Sequence, residues 1–167
     1  MRGTVVFDLD YTLIDTASFK AELAVAGDPD AVLSGMAQFV FDDALPVLER
    51  LKADGWRLAL LTKGDPAWQE RKAAESGLLG FFDFTLFTRE PKVECLEAFA
   101  RWPGPLVFVN DDGPEIDALA SALPDALILG FHGPKPLPTA QAVPMFSTLE
   151  GVYNRLTEEY LQELRNS

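Results

Sequence analysis

The chain has 167 residues, 48% hydrophobic and 24% charged, the proportions of one globular domain able to bury roughly 70% of its unfolded surface without staples. A single cysteine, Cys95, excludes an internal disulfide framework and a cysteine-based metal cluster. Lys plus Arg number 14 against 26 Asp plus Glu, and the net charge of −12 argues against nucleic acid or an anionic membrane as partner.

The N-terminus, MRGTVVFDLD, reaches acidic residues at once, unlike a signal peptide. No apolar stretch approaches the ~20 residues of a membrane span. A cytoplasmic protein, monomer or homodimer, is expected. The first apolar run is Thr4 to Phe7, ending in Asp8. About 30 residues without a strand pattern come next. Within them Phe19, Leu23 and Ala26 share one helical face that Gly27 stops, and Asp28-Pro29 opens a second helix carrying Val32, Leu33, Met36, Phe39 and Val40. Asp42 or Asp43 then caps a helix with Leu45, Leu48 and Leu51 on its apolar face and Gly55 past its end. The second run, Arg57 to Leu61, ends in Thr62, and Asp65-Pro66 opens a helix running to Gly77. A third run, Phe82 to Phe87, precedes Thr88, and Glu90-Pro91 starts a helix with Val93, Leu96 and Phe99 in step. The fourth, Leu106 to Val109, ends in Asn110-Asp111-Asp112, before a helix opened by Pro114. The fifth, Ala126 to Leu129, ends in Gly130. The stretch 133–144 holds four prolines and reads as irregular, and Thr148 precedes a final helix with Val152, Leu156, Tyr160 and Leu164.

Continuous rather than alternating apolar runs, each succeeded by a helical pattern, predict parallel strands covered on both faces. The expected organisation is an α/β core at 1–13 and 43–167 with a small two-helix insert at 14–42. Ligands of such sheets bind beyond the carboxyl ends of the strands, so Asp8, Asp10, Thr12, Thr62, Asp111 and Asp112 can converge although far apart in sequence. Asp8 and Asp10, two residues apart on an extended chain, point the same way. Adjacent carboxylates repel unless a cation joins them, and an all-oxygen cluster suits Mg²⁺. Lys92 is a candidate cation to complete the balance. His132, the sole histidine, and Cys95 read as structural.

Four segments in order carry a resemblance. Asp8-Leu9-Asp10-Tyr11-Thr12-Leu13 resembles the DxDxT motif of the haloacid dehalogenase-like (HAD) hydrolases. Thr62 in Leu60-Leu61-Thr62-Lys63-Gly64-Asp65 resembles their second motif, and Lys92 in Arg89-Glu90-Pro91-Lys92 the third. Val109-Asn110-Asp111-Asp112-Gly113-Pro114-Glu115 resembles the acidic fourth. The resemblance spans Met1 to about Gly130. It implies a Rossmann-like, doubly wound, five-stranded parallel sheet in the order 3-2-1-4-5, with the insert as a reduced helical cap. It further implies a Mg²⁺-dependent phosphatase acting on a small phosphorylated substrate through an aspartyl-phosphate intermediate. Asp8 would be the nucleophile and Asp10 the general acid and base. Thr62 and Lys92 would hold and neutralise the phosphoryl group, with Thr12 and Lys63 further candidate substrate contacts. Mg²⁺ would bind Asp8, the backbone carbonyl of Asp10, and Asp111, with Asp112 acting through water or by orienting Asp111. Asp10 separates phosphatases from dehalogenases, which lack it.

Two departures stand out. Tyr11 occupies a position where the family most often has Gly. Asn110 does the same in the fourth motif, so a shifted frame would turn Asn110 and Glu115, rather than Asp111 and Asp112, toward the metal. A phosphotransferase or phosphomutase could use the same side chains, and so could an inactive phosphate-binding module. A receiver-type signalling module is disfavoured, because its phosphorylated Asp comes after the third strand.

Overall fold

The computed structural model describes residues 2–132, 139 and 142–166, with side chains as far as 158. Most of the proline-rich stretch 133–144, and the Tyr160 and Leu164 side chains expected on the final helix, lie outside the described residues. The strands are β1 (Gly3–Phe7), β2 (Trp56–Lys63), β3 (Phe84–Thr88), β4 (Leu106–Asn110), β5 (Leu127–Phe131) and β6 (Met145–Phe146). They form one parallel sheet in the order β3-β2-β1-β4-β5-β6. The expected order thus holds, but the sheet has six strands rather than five. The sixth is only two residues long and comes directly after Pro144, so it carries no apolar run to announce it.

Side chains alternate across the sheet. Val5, Phe7, Leu58 and Leu60 belong to one core, and Val6, Ala59 and Leu61 to the other. The first core is roofed by α3 (Ala44–Ala53), α4 (Pro66–Glu75) and α6 (Leu149–Asn166), the second by α5 (Gly113–Ala122) and the turns of 92–99. Burial on both faces is why every central strand reads as an unbroken apolar run.

Between β1 and α3 lie α1 (Thr16–Val25), α2 (Pro29–Ser34) and a 3-10 turn, Met36–Phe39. The second expected helix is therefore split at Gly35, which closes α2. Phe19, Val32, Leu33, Met36 and Phe39 join Leu9, Leu13 and Ile14 in the first core, so the insert is packed onto the sheet domain. The segment Lys92–Phe99 winds as a 3-10 helix instead of the α-helix its spacing suggested. In α3, Leu45 is exposed, and Ala44, Val47, Leu48 and Leu51 form the buried stripe.

Asp43 precedes α3 but makes no side-chain cap there. Its Oδ2 accepts from the backbone N–H groups of Leu149 and Glu150 at 2.8 and 3.1 Å, capping α6 from a distance of more than a hundred residues in sequence. A salt bridge from Arg50 to Glu150 supports the same junction. Replacing Asp43 by Ala should leave two helix-start donors unpaired and cost about 1–2 kcal/mol. Urea denaturation monitored by circular dichroism measures this, with α3 itself expected to stay folded.

Candidate active site

The strand order reverses between β1 and β4, which lead to opposite halves of the sheet. A crevice opens at that switch point, beyond the carboxyl ends. It has a volume of about 630 Å³ and is lined by Asp8, Asp10, Tyr11, Thr62, Lys63, Lys92, Asp111, Asp112 and Glu115, among others. Of the candidate site residues singled out in sequence, only Thr12 and Asn110, both buried, do not line it. Thr12 is fully buried just behind, its Oγ1 3.5 Å from Asp111 Oδ1.

Asp8 continues β1, with its N–H donating to Val109 O at 3.0 Å. Lys92 begins the 3-10 segment, where a cation opposes the helix dipole and needs specific partners. It is 3% exposed. Its ammonium lies 2.8 Å from Asp8 Oδ1 and 2.9 Å from Glu115 Oε2, and donates to Asn110 Oδ1 at 3.3 Å. Asn110 also donates to Glu115 through Nδ2 at 3.1 Å, and its Oδ1 accepts from the N–H groups of Asp111 and Asp112. Asp112 caps α5, accepting from Glu115 N–H at 3.0 Å. Asn110, Glu115 and Asp112 are thus committed to one another, to Lys92 and to the helix start. Asp111 has no ion pair among the described residues.

These environments separate the carboxyls. Burial pushes Asp8 above the ordinary carboxylate range against the pull of Lys92. Burial, then the charge of Asp8, pushes Asp111 up to about 8. Lys92 is disfavoured as an ion by burial, but the charges of Asp8 and Glu115 outweigh that and hold it protonated. Asp8, Glu115 and Asp111 are three carboxyl groups around the single ammonium of Lys92, and ionisation of all three would leave the group at −2. Among the described residues no three His, Cys, Asp or Glu side chains assemble a complete metal cage.

Asp10 is set apart. Its Oδ1 accepts from Thr16 Oγ1 at 2.7 Å and pairs with the Lys72 ammonium, and its Oδ2 accepts from Gln69 Nε2 at 2.8 Å. Burial acts to raise this carboxyl, but the Lys72 charge and the bonds from Lys72, Gln69 and Thr16 bring it below the ordinary range. Gln69 Nε2 also lies 3.2 Å from Thr62 Oγ1 and 2.9 Å from Lys63 O. Tyr11 sits at φ 59°, in the left-handed region. That is the physical reason glycine suits this position, and a tyrosine there costs about 1–2 kcal/mol. Its N–H donates to Thr16 Oγ1 at 3.0 Å, and Lys20 lies over its ring at 5.3 Å.

Sequence reasoning missed Thr16, Gln69 and Lys72. No signal for them stood in the sequence alone, because the inward face of α4 is known only from packing: positions 69, 72, 73 and 76 form that stripe and its end, all buried, yet three of the four are polar. A polar stripe facing a core needs partners; those of Gln69 and Lys72 are Asp10 and Thr62, while Ser76 donates back to Ala73 O.

The model for haloacid dehalogenase-like hydrolases matches residues 20–122, more than half of the chain. The chain belongs to that family. The matched stretch contains Thr62, Lys92, Asp111 and Asp112, while Asp8, Asp10 and Thr12 lie before it. Solved structures extend the likeness over the whole fold. The YfnB protein of Bacillus subtilis, bound to magnesium, superposes with a TM-score of 0.73 at 14% identity, covering 93% of this chain and 98% of that one. A haloacid dehalogenase-like protein from Burkholderia xenovorans LB400 gives 0.72 at 20% identity, covering 95% and 98%. A predicted phosphatase from Clostridium acetobutylicum gives 0.71 at 14%, covering 95% and 99%. No curated protein sequence matches the chain. Among the described residues no helix is long and apolar enough to cross a membrane.

Burial of Asp111, and then its repulsion by Asp8, sets the pH dependence of stability at this HAD site. Asp111 titrates near 3.8 when unfolded and about 8 when folded, so its destabilising effect is absent at low pH. That effect sets in above pH 4, grows to pH 8 and then levels. Asp111→Asn should therefore stabilise the metal-free protein at pH 8 by at least 1 kcal/mol, one pKa unit being worth about 1.4 kcal/mol. Near pH 4 it should make little difference. Thermal unfolding in a chelator across that range tests both the sign and the window.

Proposed function

We propose that this HAD-family hydrolase is a Mg²⁺-dependent phosphatase that cleaves a phosphate monoester through an aspartyl-phosphate on Asp8. The observation that carries the reading is the carboxyl cluster at the switch point: Asp8 and Asp111 share a crevice with the one ammonium of Lys92, which Glu115 also pairs, and Asp10 lies two residues beyond Asp8. A divalent cation would allow Asp8 and Asp111 to ionise together. Asp8, Asp111 and the backbone carbonyl of Asp10 fit it, since Mg²⁺ is commonly held by one or two carboxylates, with water and substrate phosphate completing its shell. Asn110 and Glu115 are already engaged with Lys92, which favours the Asp111 frame over the shifted one. When bound, the cation would supply charge compensation between carboxylate and phosphate.

The chain's own residues then account for the chemistry. The Asp8 carboxylate forms a bond to phosphorus as the bond from phosphorus to the leaving oxygen breaks. Asp10, protonated, gives its proton to that oxygen. In the second step Asp10 takes a proton from water as the water oxygen bonds to phosphorus, and the Asp8–phosphorus bond breaks to restore the carboxylate. Lys92 offsets charge on Asp8 and the transferring group, and Thr62 donates to a phosphoryl oxygen. Lys63, exposed at the end of β2, is a contact for the outer part of the substrate. The substrate is a small phosphate ester.

Asp8→Asn should abolish hydrolysis of p-nitrophenyl phosphate, by roughly a thousandfold or more, with no loss of thermal stability. Near wild-type turnover would sink the aspartyl-phosphate mechanism. Titrating activity against Mg²⁺ separates the two frames of the fourth motif. Asp111→Asn should raise the half-maximal Mg²⁺ concentration well beyond the roughly tenfold effect typical of an outer partner. Asp112→Asn should stay at or below that level, whereas the shifted frame predicts that Glu115→Gln is the damaging change and Asp111→Asn is mild.

A further inference from the structure

Lys72 is a second buried lysine, paired with the crevice residue Asp10, and nothing in the four motifs accounts for it. It is 2% exposed on the inward stripe of α4. Its ammonium reaches Asp10 Oδ1 and donates to Gln69 Oε1 at 3.0 Å, with the Phe19 ring of the insert at 5.7 Å. Its neighbour Arg71 does what a surface cation does, pairing with the exposed Asp30 of α2 at 2.5 Å. A lysine buried against Phe19 loses its hydration, and a methionine would fill the same volume without that cost. A partner must justify the charge, and that partner is Asp10.

Gln69 extends the link. Its Nε2 touches Asp10 Oδ2, Thr62 Oγ1 and Lys63 O, so one amide joins the turn after β1 to the end of β2. The backbone leaves room for this: a Cβ on Gly64 would come within 2.8 Å of Gln69 Nε2. Thr16 closes the other side, accepting from Tyr11 N–H and donating to Asp10 Oδ1. The Asp10 carboxylate is therefore gripped on both oxygens and indexed to Thr62, while one edge still faces the crevice.

We propose that Lys72 is a positioning residue: together with Gln69 it fixes the Asp10 carboxylate in one orientation and at one spacing from Thr62. The role rests on Asp10 being the proton carrier of the phosphatase reaction. A carboxyl on a turn has free rotation about two side-chain bonds, and a proton donor must lie within hydrogen-bond reach of the leaving oxygen. Lys72 removes that freedom without touching the substrate.

The test compares the wild type with Lys72→Met, Lys72→Arg and Gln69→Leu. Phenyl phosphate has a leaving oxygen that needs a proton, and 2,4-dinitrophenyl phosphate has one that does not. Lys72→Met should lower kcat for phenyl phosphate by roughly 10²-fold, with KM within about threefold of wild type. The first-turnover release of dinitrophenol should be nearly unchanged. Lys72→Arg should recover most of the loss, and Gln69→Leu should reproduce it in part. A crystal structure of Lys72→Met should show the Asp10 carboxylate turned away from its wild-type position. A merely structural lysine predicts equal losses on both esters, or a fall in stability with kcat preserved, and either result would overturn the proposal. An Asp10 carboxylate left in place in the Lys72→Met crystal would overturn it too. Should Lys72→Met not fold, Lys72→Arg and Gln69→Leu carry the same comparison. A wild type inert on both esters would instead defeat the phosphatase reading, with the crystallographic position of Asp10 still deciding the role of Lys72.

Discussion

The site is governed by a shortage of positive charge. β1 and β4 are neighbours in register, with Phe7 beside Val109, so the residues just past their carboxyl ends must share the crevice. Those residues are Asp8 on one side and Asn110-Asp111-Asp112 on the other. One buried lysine cannot neutralise Asp8, Glu115 and Asp111 together. Burial strengthens the mutual repulsion of Asp8 and Asp111 and removes the water that would relieve it. In a chain of net charge −12, distant residues give no relief. The fold tolerates the conflict because an apolar sheet packed on both faces holds the strand ends in place. Such stored destabilisation is what a ligand of opposite charge can release.

Much of this was legible in the sequence, for a definite reason. Parallel strands buried on two faces must be apolar throughout, so Thr4 to Phe7, Arg57 to Leu61 and Leu106 to Val109 could be read as strands from composition alone. The polar residue ending each run then had to lie at the carboxyl edge, which brought Asp8, Thr62 and Asp111 together on the strength of pattern alone. The parts that were not legible depended on tertiary partners. Asp43 reads as a cap for the helix beside it, yet it caps α6, because the choice between two nearby helix starts is made by packing. β6 has too few residues to show a pattern and exists by pairing with Gly130 and Phe131. The turns of 92–99 carry a helical spacing, but Lys92 has to face Asp8 and Glu115, and the segment winds more tightly. Lys72 and Gln69 look like ordinary polar residues of an amphipathic helix until α4 is laid against the turn after β1.

Tyr11 shows how the same turn binds local strain to the site. The N–H groups of Thr12, Leu13 and Ile14 all point back at Leu9 O, and a chain that reverses so tightly needs one left-handed residue. Glycine would adopt it freely. Tyrosine adopts it at a cost, offset in part by the Thr16 bond to its N–H and by Lys20 over its ring. The consequence is a ring at the crevice wall where glycine would leave space, so the identity of this one residue shapes the approach to Asp10 while the backbone that aims Asp10 stays the same.

The two aspartates of the first motif end up biased in opposite directions. Asp8 is pushed toward the neutral form by burial, and Asp10 toward the ionised form by Lys72 despite burial. For the proposed first step the reverse is required, an ionised Asp8 and a protonated Asp10. The chain by itself is therefore biased toward the proposed second step, in which Asp10 would accept a proton from water and the Asp8 carboxyl, bonded to phosphorus, would no longer be a free carboxylate. Added positive charge beside Asp8 and Asp111 corrects the first bias. In the proposed reaction a dianionic phosphate close to Asp10 would work against the second by raising the cost of a further negative charge there. The division of labour comes from where the two lysines sit. Lys92 is shared by Asp8 and Glu115 and leaves Asp8 in need of a ligand, whereas Lys72 gives its charge to Asp10 and leaves that carboxylate oriented.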